Sequence, residues 1–594
     1  MIRDVVVIGG GPAGSTFAAL LMKHAPDLRV TVLEQSRFPR YHIGESTIPA
    51  ANGVFRELEV YDDLLRADFV KKMGIVFVWG KDRTPWNADY LRLKEVPTSE
   101  GGGDVIDVTG QDFRGVLDRL GYLDTPVTAF NVERAEFDDL LLKQARKFGA
   151  EVREGTRATE IRRDAAGAIC GVEWQDDTGQ TGVIETPFVL DASGLQSLLS
   201  RGERIYDPDM NNFAVYGYLK DADWKVRFNG SKDRSTVFIA AVERGWIWYF
   251  PIRPNVMSVG AVTRRDHLKD RLRDIDLEAF WWEMLRSCPE VAGLIGHATL
   301  RTDILPDGQR VAASQDWSSW ARSPVGKGWA AAGDAAIFVD PILSSGVTLA
   351  IQSGHRAAYT YLTARSRPEL SAASLWDAYA TYIRGEYGAF LQMARYWYGN
   401  NKAAPSWWWE AQQVVNRAGR LRLDDRQAFT MATAGFFPVP RAITTEVVGA
   451  LVTHLSGATA DILGAARDPG VPEPDELIHC GLETLTAFRL GFRTEPPAEG
   501  APPELQVFHD LVPEGLDFAH RSAAAPHRIA PALAPIVDAM PRHDTVAGLV
   551  AAAPGLLPAG HATEAAIRGA TLELVKIAAM KGFVRLTPAP CPNL

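Results

Sequence analysis

Val5-Val6-Val7-Ile8-Gly9-Gly10-Gly11-Pro12-Ala13-Gly14 is the stretch whose reading decides the fold. Four consecutive β-branched apolar residues read as a buried parallel strand. The pattern Gly9-x-Gly11-x-x-Gly14 follows at once, then a helix through 17–23, a second strand at 30–33, and Glu34, twenty positions after Gly14. A lone glycine pattern of this kind is weak. Preceded by a strand, opening a helix and followed by an acid at this distance, it is what a dinucleotide-binding βαβ unit requires. Gly9 allows the tight turn, Gly11 lets the backbone approach a pyrophosphate, and Gly14 lets helix and strand pack closely. Pro12 and Ala13 complete the turn and begin the helix, whose amides and partial positive charge suit phosphate. Glu34 is placed to accept from ribose hydroxyls.

The chain is 594 residues long, more than one core organises, so two or more domains are expected. Hydrophobic residues at 46% and charged residues at 23% describe an ordinary globular protein. A net charge of -10 argues against nucleic acid or an anionic membrane as a partner. The four cysteines, Cys170, Cys288, Cys480 and Cys591, form no CxxC pair. That spacing excludes a zinc ribbon and a disulfide scaffold, points to no metal site, and fits a reducing cytoplasm. No run approaches the roughly 18 apolar residues of a membrane span. Asp4 and the glycines at 9–11 interrupt the apolar N-terminus and argue against a signal peptide.

Further along, 137–148 reads as an amphipathic helix, with strands near 151–153 and 188–190. Between 212 and 262 the pattern changes to short strands at 213–219, 237–242, 246–251 and 256–262. This spacing predicts an antiparallel sheet, a substrate subdomain at about 205–320 inserted in a core spanning 1–365. Residues 329–332 return to the buried-strand type, and 347–361 read as a helix. From 366 to 494 the pattern is mostly helical, with aromatic clusters at Tyr396-Trp397-Tyr398 and Trp407-Trp408-Trp409. The Pro-rich 495–503 reads as a linker. It leads to a module over 505–594 whose helix, helix and strand at 583–586 suggest a small winged-helix-like unit. No basic stripe accompanies it, so it reads as a packing module.

Two later segments separate FAD from other dinucleotides, by resemblance. Arg134-x-x-Phe137-x-x-Leu140 resembles the helix of group A flavin monooxygenases whose arginine reaches the FAD. Gly333-Asp334-Ala335-Ala336, followed by Asp340-Pro341, resembles their second flavin motif, whose aspartate binds the ribityl chain. Read without that resemblance, Arg134 is a solvated helix charge and Asp334 an N-cap. The fold class implied is α/β: an FAD-binding Rossmann-type domain, an inserted antiparallel sheet and a mostly helical C-terminal region.

Three further segments resemble the flavin-dependent halogenases of the tryptophan-halogenase-like superfamily, most closely the chloramphenicol-pathway type. They are Phe38-Pro39-Arg40-Tyr41-His42-Ile43-Gly44-Glu45-Ser46, Val70-Lys71-Lys72-Met73-Gly74-Ile75-Val76-Phe77-Val78-Trp79-Gly80, and Trp246-x-Trp248-x-Phe250-Pro251, with Phe250 where the family has isoleucine. The resemblance is strong over 1–360 and loose beyond. It implies that FADH2 diffuses in from a separate flavin reductase, a transient partner. Oxygen and chloride or bromide then give hypohalous acid, which travels to a lysine. Lys72 aligns with that lysine, whereas Lys71 reads as its solvated neighbour. The resemblance places Arg40, Ile43, Gly44, Glu45 and Ser46 beside the flavin, with Pro341, Gly346 and Val347 opposite, and gives the halide to the amides of Ser345 and Gly346.

Trp246, Trp248, Phe250 and Leu343 form the expected substrate region. Leu343 stands where tryptophan halogenases carry a glutamate. The implied substrate therefore supplies its own activation, as a phenol, a pyrrole or an enolisable acyl group does, either free or bound to an acyl carrier protein. A single-component FAD-dependent aromatic hydroxylase and a geranylgeranyl-reductase-like oxidoreductase are the alternatives. Both share the FAD motifs, but the hydroxylase lacks the lysine and Trp-x-Trp segments, and the reductase predicts no halide dependence.

Overall fold

The computed structural model describes residues 2–79, 83, 85–90, 128–223, 235–399, 433, 474–497, 501–514, 529–558 and 562–587. The strand Val5–Ile8 is buried along its whole length because it has a parallel neighbour on each side, Val189–Asp191 and Val30–Leu33. The sheet runs in the order Val325–Gly326, Trp329–Ala331, Val189–Asp191, Val5–Ile8, Val30–Leu33 and Glu151–Arg153. Only its outermost pair is antiparallel. The helix Pro12–His24 packs between Arg134–Phe148 and Gly346–Ser366, so the three helices that follow the flavin motifs share one layer. This is a predominantly parallel open sheet with a helical layer on one face, of the kind in which a ligand lies across the carboxyl ends of the strands.

The second sheet has ten strands. Its central path is Val311–Ala321, Arg204–Lys220, Val256–Arg264, Gly245–Arg253, Ser235–Val242 and Val70–Val78. The predicted antiparallel pairing holds throughout except at one joint, where Val70–Val78 runs parallel to Ser235–Val242. The lysine strand therefore belongs to the sheet that carries the tryptophans. Alternate residues of Gly245–Arg253 divide between two cores, as a period of two demands. Trp246, Trp248 and Phe250 face the core shared with the dinucleotide domain, while Ile247 and Tyr249 face Phe280 and Trp281 of the helix Leu277–Arg286.

Among the described residues the C-terminal region holds the helices Ala372–Gly399, Val546–Leu556 and Glu564–Met580, but two expectations need correction. The stretch read as helical to 494 contains the strands Gly481–Thr484 and Phe488–Glu495. Phe488–Glu495 then pairs antiparallel with Gln506–Pro513, so the Pro-rich 495–503 joins two strands of one hairpin and is not a link between domains. Proline excludes a segment from a ladder, which is equally true of a linker and of a hairpin loop. The terminal strand Val584–Thr587 closes back on Gly481–Thr484. Arg489 meets Asp377 and Arg356 meets Thr494, while the Leu505 amide donates to Thr363 Oγ1 at 2.8 Å, so this unit rests on the two long helices. The Trp407–Trp409 cluster and Cys591 lie outside the described residues. Among the described residues no helix is long and apolar enough to cross a membrane.

Inside the C-terminal unit Lys581 Nζ donates to Asp510 Oδ2 at 2.9 Å, with both side chains almost wholly buried. Asp510→Ala is expected to cost about 3–5 kcal/mol in chemical denaturation, because it breaks a buried ion pair by removing one of its two charges. The double change Asp510→Leu with Lys581→Met should recover most of that loss. A loss below about 1 kcal/mol for Asp510→Ala would contradict the assignment.

Candidate active site

The turn after the first strand is built by close approach. Gly9 has φ +103, and a Cβ on Gly14 would lie 2.0 Å from the Gly9 carbonyl oxygen, so neither position admits a side chain without movement. Glu34, nearly buried at the end of the second strand, accepts from the Gly10 amide at 2.7 Å and the Ser36 amide at 2.8 Å. The helix begins at Pro12 with no side-chain cap, leaving its first amides for a ligand.

The distant motifs converge on this turn. A Cβ on Gly333 would meet Ala13 Cβ at 3.0 Å. The adjacent Asp334 lies inside the short turn Gly333–Ala335 and makes no cap, contrary to the N-cap reading. Burial pushes its carboxyl up to about 6, against the pull of Arg204 and Arg134. Arg134 is buried, not solvated. It grips Asp138 through two bonds of 2.7 and 2.9 Å and donates to the carbonyls of Ile43 and Gly44 at 2.8 and 3.1 Å. Burial alone would raise the Asp138 carboxyl, but Arg134 and Arg40 bring it below the usual range. Arg40 Nη1 lies 3.4 Å from Asp138, and its guanidinium stacks on Phe38. Asp138, four residues after Arg134, went unread in the sequence, although that spacing is itself an ion-pair signal on a helix.

Residues 43–48 form the bridge of the site. Gly44, with φ +97, faces both Arg134 Nη1 and the Val347 side chain. Ser46 Oγ donates to Asn131 Oδ1 at 3.0 Å, and the Thr47 amide to the Phe130 carbonyl at 2.9 Å. Glu45 is buried and accepts from the Tyr218 hydroxyl at 2.7 Å; Tyr41 lies 3.0 Å beyond, and burial pushes the Glu45 carboxyl up to about 7.

Lys72 lies within the strand Val70–Val78, not in a turn before it, and is wholly buried, while Lys71 points to solvent. Its Nζ donates to the Thr47 carbonyl at 3.1 Å and sits 5.8 Å from the centre of the Tyr90 ring. No carboxylate pairs with it among the described residues, and burial lowers the amine from near 10.5 to about 7.

One residue on, the Ile48 amide donates to Thr348 Oγ1 at 3.3 Å, which ties the bridge to the helix Gly346–Ser366. Asp340 Oδ1 accepts from the Ile342 amide at 2.9 Å and holds the short turn Pro341–Leu343. Ser344 follows with φ +55, and Ser345 caps the helix without a side-chain bond. Ser345 Oγ is buried and has no hydrogen-bond partner among the described residues, and a Cβ on Gly346 would meet no atom within 4 Å. An orphaned hydroxyl, free first-turn amides and open space are what a small anion needs at a helix N-terminus. Leu343 is buried in the main core.

Trp246, Trp248 and Phe250 are all buried, with the two indole rings 6.0 Å apart. Among the described residues no group of three or more His, Cys, Asp or Glu is placed to hold a metal.

The residues present fit a flavin dinucleotide. An acid fixed at the end of the second strand, an uncapped helix above a glycine turn and, beside Ala13, a carboxylate with no bonded partner among the described residues are arranged as such a ligand requires.

Comparison with known proteins agrees. The sequence model described as tryptophan halogenase matches residues 4–95 and 118–433. A tryptophan 2-halogenase of Chondromyces crocatus is 29% identical over 417 residues, 69% of this chain and 71% of that protein. The 1H-pyrrole-2-carbonyl-[peptidyl-carrier protein] chlorinase of Pseudomonas fluorescens is 31% identical over 381 residues, 62% of this chain and 78% of that one. The solved structure of the myxobacterial chondrochloren halogenase, described as a variant of FAD-dependent halogenases, superposes with a TM-score of 0.57 at 28% identity. It covers 74% of this chain and 98% of its own.

The lowered amine sets a stability test. The unfolded chain holds more protons than the folded one between about pH 7 and 10.5, so the burial penalty of Lys72 is full below pH 7 and fades as pH rises to 10.5. Lys72→Met is therefore expected to stabilise the protein by about 2–4 kcal/mol at pH 7 and by little above pH 10.5, read from denaturation curves at both pH values. Equal stability of the two proteins at pH 7 would sink this account of the lysine.

Proposed function

The chain belongs to the tryptophan halogenase family of flavin-dependent enzymes, and on that premise we propose that Lys72 delivers the oxidised halogen to an electron-rich substrate. The enzyme uses FAD and a halide. Bound reduced FAD supplies the oxidising chemistry, in which FADH2, O2, chloride and a proton go to FAD, hypochlorous acid and water. Gly9, Gly11, Pro12, Ala13, Gly14 and Glu34 hold the adenosine and pyrophosphate end in this reading. Arg40, Ile43, Gly44, Glu45, Ser46, Arg134, Asp334, Pro341, Gly346 and Val347 surround the remainder, and the amides at Ser345 and Gly346 take the halide.

The burial of Lys72, with no acidic partner among the described residues, carries the proposal. An amine poised near neutrality exists in both forms at working pH. The ammonium donates a hydrogen bond to hypohalous acid; the free amine takes the halogen as the O–X bond breaks, and its N–H proton leaves with the hydroxide as water. A separate reductase is the expected source of FADH2. The free thiols of Cys170, Cys288 and Cys480 fit the reducing cytoplasm in which we place the enzyme.

The substrate follows from Leu343. A leucine neither accepts a proton nor pairs with a cationic ring intermediate, so we assign an activated substrate: a phenol, a pyrrole or an enolisable acyl group. The carrier-bound pyrrole in the name of the Pseudomonas chlorinase supports the carrier-bound form. The tryptophan in the name of the Chondromyces relative supports the contrary view, and the assay must include it.

Lys72→Ala is expected to bind FAD and to consume reduced flavin and oxygen, yet to lose at least about 100-fold in halogenated product, whereas Lys71→Ala stays near wild type. Mass spectrometry of products alongside oxygen uptake reads both, and undiminished halogenation by Lys72→Ala would refute the role. In a panel of free tryptophan, a phenol, a pyrrole and a β-ketoacyl thioester, tryptophan is expected to be the poor substrate. Regioselective chlorination of tryptophan with the others inert would overturn the substrate assignment.

A further inference from the structure

A buried indole N–H needs an acceptor, and the two strand tryptophans find theirs in different places. Trp248 Nε1 donates to Ser258 Oγ at 3.1 Å, on the adjacent strand of its own sheet. Trp246 Nε1 leaves the sheet and donates to the Tyr398 hydroxyl at 2.6 Å, near the end of the helix Ala372–Gly399. Tyr398 in turn donates to Asp340 Oδ2 at 3.0 Å, with Oδ1 at 3.3 Å. Asp340 Oδ1 holds the Ile342 amide and with it the turn that leads through Ser344 to Ser345 and Gly346.

The direction of this chain is set at the indole, which only donates, so the Tyr398 hydroxyl accepts there and has its own proton to pass to Asp340, whose carboxyl burial pushes up to about 7. Each bond polarises the next in a site from which water is largely excluded. Trp246 and Asp340 are buried and Tyr398 is half-buried.

We propose that Trp246 is a positioning residue for the halide loop, acting through Tyr398 and Asp340 to hold the Ser345 and Gly346 amides in register. The inference rests on the assignment of the halide to that loop. Phenylalanine would fill the same space as the indole but would remove the N–H, so shape and hydrogen bonding are separable at this position.

The test is the chloride KM of wild type, Trp246→Phe, Tyr398→Phe, their double variant and Trp248→Phe, at saturating substrate and reduced FAD, with FAD affinity measured alongside. Trp246→Phe and Tyr398→Phe are each expected to raise the chloride KM about three- to ten-fold, the worth of one hydrogen bond, with FAD affinity within about two-fold of wild type; Tyr398→Phe, outside the substrate region, should also keep kcat at saturating chloride within about two-fold. Serial links do not add, so the double variant should be no worse than Tyr398→Phe alone. Trp248→Phe, whatever it does to substrate turnover, should leave the chloride KM unchanged.

An unchanged chloride KM in Trp246→Phe, multiplied effects in the double variant, or an equal rise in Trp248→Phe would each overturn the proposal. Should Trp246→Phe fail to fold, Tyr398→Phe still decides: it must raise the chloride KM, and an unchanged value overturns the proposal. Gly346→Val tests the underlying assignment separately, because its side chain enters open space at the loop. An unchanged chloride KM there removes the halide loop itself, whereas a raised one beside a silent Trp246→Phe removes only the tryptophan's part.

Discussion

The bond from Lys72 Nζ to the Thr47 carbonyl is the interaction on which the site depends. A strand that buries an amine completely must give it a polar partner, and here that partner is a backbone carbonyl of the segment 43–48. A carboxylate in its place would hold the lysine charged and unreactive. A carbonyl satisfies one proton and leaves the amine balanced between its two forms. The same segment accepts from Arg134 and donates to Asn131, Phe130 and Thr348, so the lysine's partner is itself held in place.

The two anion sites proposed for this chain share one construction. In each, a turn delivers the chain to the start of a long helix, and a carboxylate accepts from an amide of the turn, not of the helix. Glu34 does so with Gly10 and Asp340 with Ile342. The turn is stiffened and the helix amides remain available. A carboxylate that capped the helix itself would occupy the donors and repel the anion. Placing the negative charge one turn earlier avoids both effects.

Most of the dinucleotide domain was legible because each element there is set by local rules. The run at Val5–Ile8, the glycines and Glu34 need only their own spacing to be read, and all occur as expected. The burial of Lys72 was legible only through its flanking residues, since Lys71 and Lys72 are indistinguishable in isolation and the strand's period alone separates them. What stayed hidden are pairings across long stretches of chain. Tyr218 with Glu45 and Tyr398 with Asp340 join residues whose identities suggest nothing about each other. The 495–503 segment was misread for a related reason: proline marks where pairing stops and carries no information on whether the next strand returns to the previous one.

The parallel joint between Val70–Val78 and Ser235–Val242 has a consequence for the order in which the protein assembles. A parallel pair cannot close through a short turn, and here more than 150 residues separate Lys72 from its partner Ser235. Closing so long a loop is slow and brings little reward until the whole sheet is present. During synthesis the Lys72 amine therefore stays hydrated, with its ordinary affinity for protons, until the chain has grown past Val242 and the sheet can shut over it. The burial of this residue is completed late, as a property of the finished sheet.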